Sequence, residues 1–183
     1  VSSDSNEILQ IAQNNGADYC IKRPDHLVTD SAAKIPVIRH CVQEVEKITH
    51  QTSDICVDLD ATSPLRTTRD IENALKVFKE KKHDNLFSVC PSHRSPYFNL
   101  VEHSKSGHIK LVKGDGLNRR QDAPECYDMN ASIYIWKRDI LEQHDSLFLD
   151  RTGIYVMPQE RSYDIDNEID FEIVEFLMSK SKA

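Results

Sequence analysis

The alternation of two hydrophobic periods along the chain constrains its fold more than any other feature. Short apolar runs typical of buried strands occur at 17–22, 54–60, 85–90, 130–136 and 153–158. Between and after them, apolar residues recur at helical spacing in segments 5–15, 31–49, 68–81, 138–144 and 166–180. Strands that alternate with helices favour a mostly parallel sheet covered by helices on both faces. The sequence therefore predicts an α/β fold.

The segment 93–126 interrupts this alternation. Two strand-like stretches, 97–103 and 108–113, flank the turn sequence SKSG and predict a hairpin that projects from the sheet. No repeat or linker divides the remaining chain, and 183 residues suffice for one sizeable core. We therefore expect a single domain over residues 1–183.

Charge and composition exclude several classes of protein. The net charge of −7 argues against electrostatic nucleic-acid binding, and no apolar run is long enough to span a bilayer. The five cysteines form no CxxC pair, which favours reduced thiols in a cytoplasmic protein. The eight histidines show no ligand spacing, so no zinc site is predicted.

Polar side chains follow several of the predicted strands. They are Ser3–Asp4–Ser5, the stretch from Asp60 to Arg66, and Asn130 on a later strand. Ligands of open α/β sheets bind beyond the carboxyl ends of strands, so these positions are candidate contacts. Each also has a structural interpretation: Ser5 as a helix cap, and Arg66 in solvent beside a turn.

The acid-rich stretch RSYDIDNEIDF (161–171) has two interpretations. In an extended segment Asp164 and Asp166 face the same side, and two carboxylates with phosphate oxygens make a Mg²⁺ site. Alternatively, Asp166 or Asn167 caps the final helix, whose first turn favours acids. The spacing alone favours the helix start.

Five motifs in one order resemble the acylneuraminate cytidylyltransferases, the CMP-sialic acid synthetase family. They are SSDS, KRPDHLVTDSA, TSPLR, RRQDAPECYDMNASIYIW and SYDIDNEIDF. The stretches LDATSPLR, SHRSPYFNLVE and CYDMNASIYIWKRD look most like the bacterial branch that activates legionaminic acid. The resemblance implies a three-layer α/β/α, Rossmann-like nucleotide-diphospho-sugar transferase fold and a homodimer. It also implies CTP and a nine-carbon 2-keto sugar acid as substrates, with release of pyrophosphate.

The same resemblance implies roles for individual residues. The nucleotide would contact Ser3, Asp4 and Arg23; Mg²⁺ would bind Asp164 and Asp166. The sugar acid would contact the remaining matched residues: Arg120, Asn130, Tyr134, Leu147, Phe148 and Asp60. Arg120 would anchor the sugar carboxylate, and Leu147 and Phe148 would surround the acyl group.

Two departures from the family pattern bear on these roles. Asp60 stands where the family usually has a glutamine that touches the sugar, which implies that it faces a different substituent. The Gly-rich loop that holds the CTP phosphates has no counterpart here, so we expect an amino-terminal segment to precede Val1 and this chain to lack the triphosphate cradle. Two alternatives remain: a glycosyltransferase with a DxD metal motif, and a noncatalytic fragment that binds a sugar acid or dimerises.

Overall fold

The computed structural model describes residues 1–29, 33–114 and 119–180. Within them the strands are β1 (Ser2–Ser3), β2 (Ile21–Lys22), β3 (Ile55–Leu59), β4 (Asn85–Pro91), β5 (Val101–His103), β6 (Ile109–Leu111), β7 (Tyr127–Lys137) and β8 (Thr152–Val156). The helices are α1 (Asn6–Asn14), α2 (Lys34–Thr49), α3 (Thr68–Glu80), α4 (Arg138–Gln143) and α5 (Glu168–Lys180). Helices and strands alternate over most of this order, as the periodicity predicts.

The largest sheet has the strand order β3-β7-β4-β8. The backbone amide of Arg138 bonds to the carbonyl of Asp54, and that of Asp60 to Ser132, so β7 runs antiparallel to β3. The amides of Lys137 and Ser92 bond to the carbonyls of Asp84 and Cys126, so β7 also runs antiparallel to β4. Strands β4 and β8 are parallel. Strand β7 thus runs against the other three, and its amino end reaches the edge where their carboxyl ends lie.

Two smaller sheets complete the set. Strands β1 and β2 pair in parallel, with Ser3 opposite Lys22. Strands β5 and β6 form the predicted hairpin, with Val101 opposite Leu111. The hairpin strands are shorter than predicted, because residues 97–99 form a turn.

Local hydrogen bonds explain where two helices begin. The Ser5 hydroxyl accepts from the amide of Ile8, as predicted for the start of α1. Helix α3 begins with a capping box, in which the Thr67 hydroxyl accepts from the Asp70 amide at 3.3 Å and the Asp70 carboxylate accepts from the Thr67 amide at 2.8 Å.

The chain forms two compact units. The first comprises residues 1–58, 75–86 and 134–153, and the second residues 59–74, 87–133 and 154–183. Within the first, the largest buried side chains include Trp136, Ile135 and Leu141; within the second, Ile133, Val89 and Met157 are buried. The single domain over 1–183 stays a prediction.

The structure corrects several details of the sequence-based interpretation. The apolar residues of the acid-rich stretch predict a buried anchor for the acids, but Ile169 and Phe171 are 69% and 53% exposed. Strand β2 is shorter than the predicted 17–22, and part of the predicted helix 31–49 falls outside the described residues. Within those residues, no helix is long and apolar enough to cross a membrane.

Gly153 allows an unusually close approach in the first unit. A Cβ at this position would lie 2.2 Å from Cδ2 of His83. Only glycine therefore leaves the imidazole in its present place beside the start of β8.

Candidate functional site

Residues matched to the nucleotide lie together in the first unit. Ser3 is buried at the end of β1, and its carbonyl accepts from the amide of Arg23 at 2.9 Å. The Arg23 guanidinium donates to the carbonyl of Ser2 at 3.2 Å, and Lys22 donates to the carbonyl of the exposed Asp4. The Ser2 hydroxyl and Arg23 Nε are buried without a partner among the described residues. This cluster retains unused hydrogen-bonding capacity.

Tyr134 lies in β7 and is buried. The Lys34 ammonium sits 4.0 Å from the centre of its ring, in cation–π geometry. Lys34 also forms an ion pair with Asp58 at 3.3 Å. The first residue of α2 thus contacts the ring face of a predicted substrate contact.

Leu147 and Phe148 lie on the loop between α4 and β8. The side-chain amide of Asn85 donates to the Leu147 carbonyl at 2.6 Å and so fixes the backbone of this loop. Phe148 extends outward and is 70% exposed. A fixed backbone with an exposed aromatic ring suits recognition of an apolar group.

In the second unit, Asp60 begins the turn after β3. Arg66 donates to the carbonyls of Asp60 and Ser63, both at 2.6 Å. The interpretation of Arg66 in solvent is wrong, because the residue is half-buried and its guanidinium closes its own turn. Its role as a ligand contact stays a prediction. The Asp60 carboxylate accepts from the Thr62 hydroxyl at 3.4 Å.

Asn130 is buried near the amino end of β7, not at the carboxyl end of a strand as we expected. Its carbonyl oxygen accepts from the Ser88 hydroxyl at 2.7 Å, and its amide donates to Ser162 Oγ at 2.9 Å. The next residue, Ala131, has a positive φ of 46°, which kinks the strand at this point. Asn130 thus joins β4 to the segment that carries the acid pair.

Asp164 and Asp166 lie in a loop before α5, not in a strand. The Ile165 amide between them donates to the carbonyl of Thr62 at 2.9 Å. Asp164 is half-buried and Asp166 is exposed. The segment is therefore fixed against the turn that follows β3.

Asn167, one of the two predicted caps, and Asp170 together cap α5. The Asn167 side chain accepts from the amides of Ile169 and Asp170, and the Asp170 carboxylate accepts from the amides of Asp166 and Asn167. The helix start thus uses Asn167 and Asp170. Among the described residues, the Asp166 carboxylate has no partner, and that of Asp164 accepts only from the next amide.

Sequence reasoning missed the ion pair between Asp70 and Arg161. Arg161 Nε and Nη2 donate to the two Asp70 oxygens at 2.9 and 2.8 Å. Burial acts to raise the pKa of Asp70, but hydrogen bonds from Arg161 and Thr67 outweigh it and lower the pKa to about 2. The T-x-x-D sequence of residues 67–70 signals the capping box, but not the arginine 91 positions away.

Arg120 is the remaining predicted contact. Its backbone belongs to a short 3-10 helix, Arg120–Asp122. Its side chain lies outside the described part of the structure, so its role stays a prediction.

The two carboxylates are ligands of the kind that hard divalent cations prefer. Mg²⁺ is commonly held by one or two carboxylates together with substrate phosphates and waters. Among the described residues, no group of three His, Cys, Asp or Glu side chains forms a closed metal cage. Asp164 and Asp166, which the helix cap does not use, match the open kind of site.

Comparison with known proteins gives concordant results. A family model described as cytidylyltransferase matches residues 1–182. The chain is 44% identical over 180 residues to "Post-translational flagellin modification protein B" of Campylobacter coli, covering 98% of this chain and 76% of that protein. It is 46% identical over 179 residues to "CMP-N,N'-diacetyllegionaminic acid synthase" of Campylobacter jejuni, with the same two coverages, 98% and 76%.

A solved structure shares the fold. It is that of CMP:2-keto-3-deoxy-manno-octonic acid synthetase complexed with CTP, with a TM-score of 0.68 at 15% identity. The match covers 99% of this chain and 80% of that one. The predicted nucleotide-sugar transferase fold, with its mostly parallel sheet, is confirmed.

Proposed function

The chain belongs to the cytidylyltransferase family of nucleotidyltransferases, and we propose that it transfers CMP from CTP to the anomeric hydroxyl of a nine-carbon 2-keto sugar acid. The acid is of the legionaminic or sialic type, and the second product is pyrophosphate. One structural observation carries the proposal: Asn167 and Asp170 cap α5, which leaves the carboxylates of Asp164 and Asp166 for a ligand.

The reaction is an in-line displacement at the α-phosphorus of CTP. The anomeric oxygen forms the new P–O bond, its proton passes to solvent, and the bond to the β-phosphate oxygen breaks. No covalent intermediate with the protein is needed, so positioning and charge neutralisation are the main contributions of the chain. A bound Mg²⁺ would neutralise phosphate charge and acidify the attacking hydroxyl.

The residues divide by substrate. Ser3, Asp4 and Arg23 take the nucleotide, where buried Arg23 Nε retains an unused donor. Asn130 and Tyr134 contact the sugar acid, and both are held by neighbouring side chains. The other sugar contacts are Arg120 for the carboxylate, Asp60 for a polar substituent, and Leu147 with Phe148 for the acyl group.

Removal of one carboxylate tests the proposal. Asp166→Ala in the intact protein lowers CMP-sugar formation by roughly a hundredfold or more, because phosphate charge is no longer neutralised. Glu168→Ala is the matched control, since Glu168 is an exposed acid two residues further on. Near-normal turnover of Asp166→Ala, measured by pyrophosphate release, would exclude the metal role.

A panel of sugar acids tests the substrate. Legionaminic-type acids give pyrophosphate and a CMP-sugar, whereas a glycosyltransferase would consume a nucleotide sugar and release a nucleotide. No pyrophosphate with any 2-keto sugar acid would overturn the assignment.

The cellular setting follows from the same reasoning. We propose that the chain forms a homodimer, as the family resemblance implies, and that it works in the cytoplasm. Five free thiols support the cytoplasm, since such cysteines are typical of a reducing compartment. Sedimentation at micromolar concentration measures the dimer; a monomer there would contradict it.

A further inference from the structure

The ion pair of Asp70 and Arg161 belongs to neither the predicted nucleotide contacts nor the predicted sugar contacts. Asp70 is 1% exposed, yet it carries a full charge because its hydrogen bonds hold its pKa low. It accepts from Arg161 twice, from the Thr67 amide and hydroxyl, and from the Tyr155 hydroxyl at 3.3 Å. The first turn of α3 thus offers a fixed carboxylate to the segment after β8.

Arg161 is one of three anchors on that segment. The second is Ser162, whose hydroxyl binds Asn130 and donates to the carbonyl of Pro158, each at 2.9 Å. The third is the Ile165 amide, which donates to Thr62. Arg161 lies three residues before Asp164, a tether of at most about 10 Å.

The other end of the acid segment is also fixed. The Asp170 carboxylate accepts from the backbone amide of Asp166 itself at 3.1 Å. The backbone of the two acids therefore runs between the ion pair of Arg161 with Asp70 on one side and the helix cap on the other. In the described part of the chain, the Asp166 carboxylate itself has no partner. Fixed supports around uncommitted ligands are the arrangement a metal site requires.

Stability alone is a weak explanation for the pair. A buried ion pair is often no more stabilising than apolar side chains of similar volume, because both charges lose their hydration. Its directional bonds, however, fix the backbone of Arg161 in one place.

We propose that Asp70 and Arg161 are positioning residues that hold Asp164 and Asp166 in the geometry that binds the divalent cation. The inference rests on the proposed metal role of the two acids. Neither Asp70 nor Arg161 contacts the cation or the substrates; both act through the backbone of residues 161–166.

The structure offers a matched control. Arg138 binds Glu46 in the same bidentate way, with both distances at 2.9 Å, and its side chain is 19% exposed against 33% for Arg161. It ties α4 to α2, and its side-chain hydrogen bonds go to Glu46 and Glu142. Arg161→Lys and Arg138→Lys keep the charge and remove the second hydrogen bond in each case.

Mn²⁺ binding in the presence of CTP, followed by electron paramagnetic resonance on the intact protein, is the first measurement. Arg161→Lys weakens Mn²⁺ binding about tenfold, as loss of a supporting contact does at other metal sites. It raises the Mg²⁺ concentration for half-maximal rate by a similar factor and leaves the KM for the sugar acid within about twofold. Arg138→Lys changes neither quantity.

Further variants separate the possible failures. Asp70→Asn reproduces the effect of Arg161→Lys, and thermal melts of every variant confirm that it is folded at the assay temperature. Unchanged Mn²⁺ affinity in folded Arg161→Lys, with lost affinity in Asp166→Ala, overturns the positioning role alone. Unchanged affinity in Asp166→Ala overturns the metal role on which it rests.

Discussion

Two bidentate arginine pairs, one in each compact unit, differ in what they hold. Arg138 joins Glu46 across two helices and also binds Glu142, one turn further along α4. Arg161 joins Asp70, whose side chain is 2% exposed, whereas that of Glu46 is 13% exposed. The same chemical pair thus fixes two helices to one another in the first unit and fixes an irregular loop in the second.

The difference shows what an irregular segment needs. Helices α2 and α4 are held by their own backbone hydrogen bonds, so Arg138 adds stability to elements that are already regular. Residues 162–166, which follow the 3-10 turn Gln159–Arg161, belong to no helix or strand. Among the described residues, only the amides of Ser162 and Ile165 in this stretch bond to backbone carbonyls, so side chains contribute more to its conformation. We therefore expect loss of the Arg161–Asp70 pair to lower the free energy of unfolding more than loss of the Arg138–Glu46 pair.

The largest expected effect comes from removing each acid. Asp70→Ala lowers the free energy of unfolding by about 3 kcal/mol, because it leaves Arg161, Thr67 and Tyr155 without their acceptor. Glu46→Ala lowers it by about 1 kcal/mol, since Arg138 keeps Glu142 as a partner. Urea unfolding of both variants measures the difference. Equal losses would show that the two pairs contribute equally to stability and would contradict this prediction.

The dependence of stability on acid pH compares the same two carboxylates, Asp70 and Glu46, with a smaller expected effect. The pKa of Asp70 is lowered from 3.8 to about 2, so its contribution is complete above pH 4 and is lost as the pH falls towards 2. The shift corresponds to about 2 kcal/mol. Hydrogen bonding to Arg138 also lowers the pKa of Glu46.

Urea unfolding at several pH values between about 5 and 2 is the measurement. Stability of the wild type falls more steeply with acid than that of Asp70→Asn, which cannot titrate at this position. Parallel curves would show that Asp70 has an ordinary pKa.

The smallest effects concern the outer contact of each pair. Tyr155→Phe removes a 3.3 Å hydrogen bond to Asp70, and Glu142→Ala removes an exposed contact to Arg138. Each lowers the unfolding free energy by about 0.5 kcal/mol or less. Thermal unfolding measures both effects. A loss above about 1 kcal/mol for Tyr155→Phe would show that the tyrosine is an essential partner of the Asp70–Arg161 pair.

The sequence predicted the family and the α/β fold, and both are confirmed. Period-two and period-3.6 patterns located most elements, but apolar alternation reads the same in either direction, so the reversed strand β7 could not be predicted. The stripe on α5 indicated a helix without showing what covers it, and Ile169 proved exposed.

The candidate site was predicted only in part. The motifs named Ser3 and Arg23, which the structure brings together, and the assigned roles stay predictions. The pairing of Asp70 with Arg161 was not predicted, because no local spacing links positions 91 residues apart. Ser88, which binds Asn130, lies in a strand that carries no motif.

The close approach of Gly153 to His83 has a consequence for how relatives of this chain can vary. A methyl group at position 153 would occupy the place of the imidazole, so a larger residue there requires a smaller or displaced one at position 83. The two positions are therefore expected to covary: families of sequences that keep histidine at 83 should keep glycine at 153, and those that lose one should be free to lose the other.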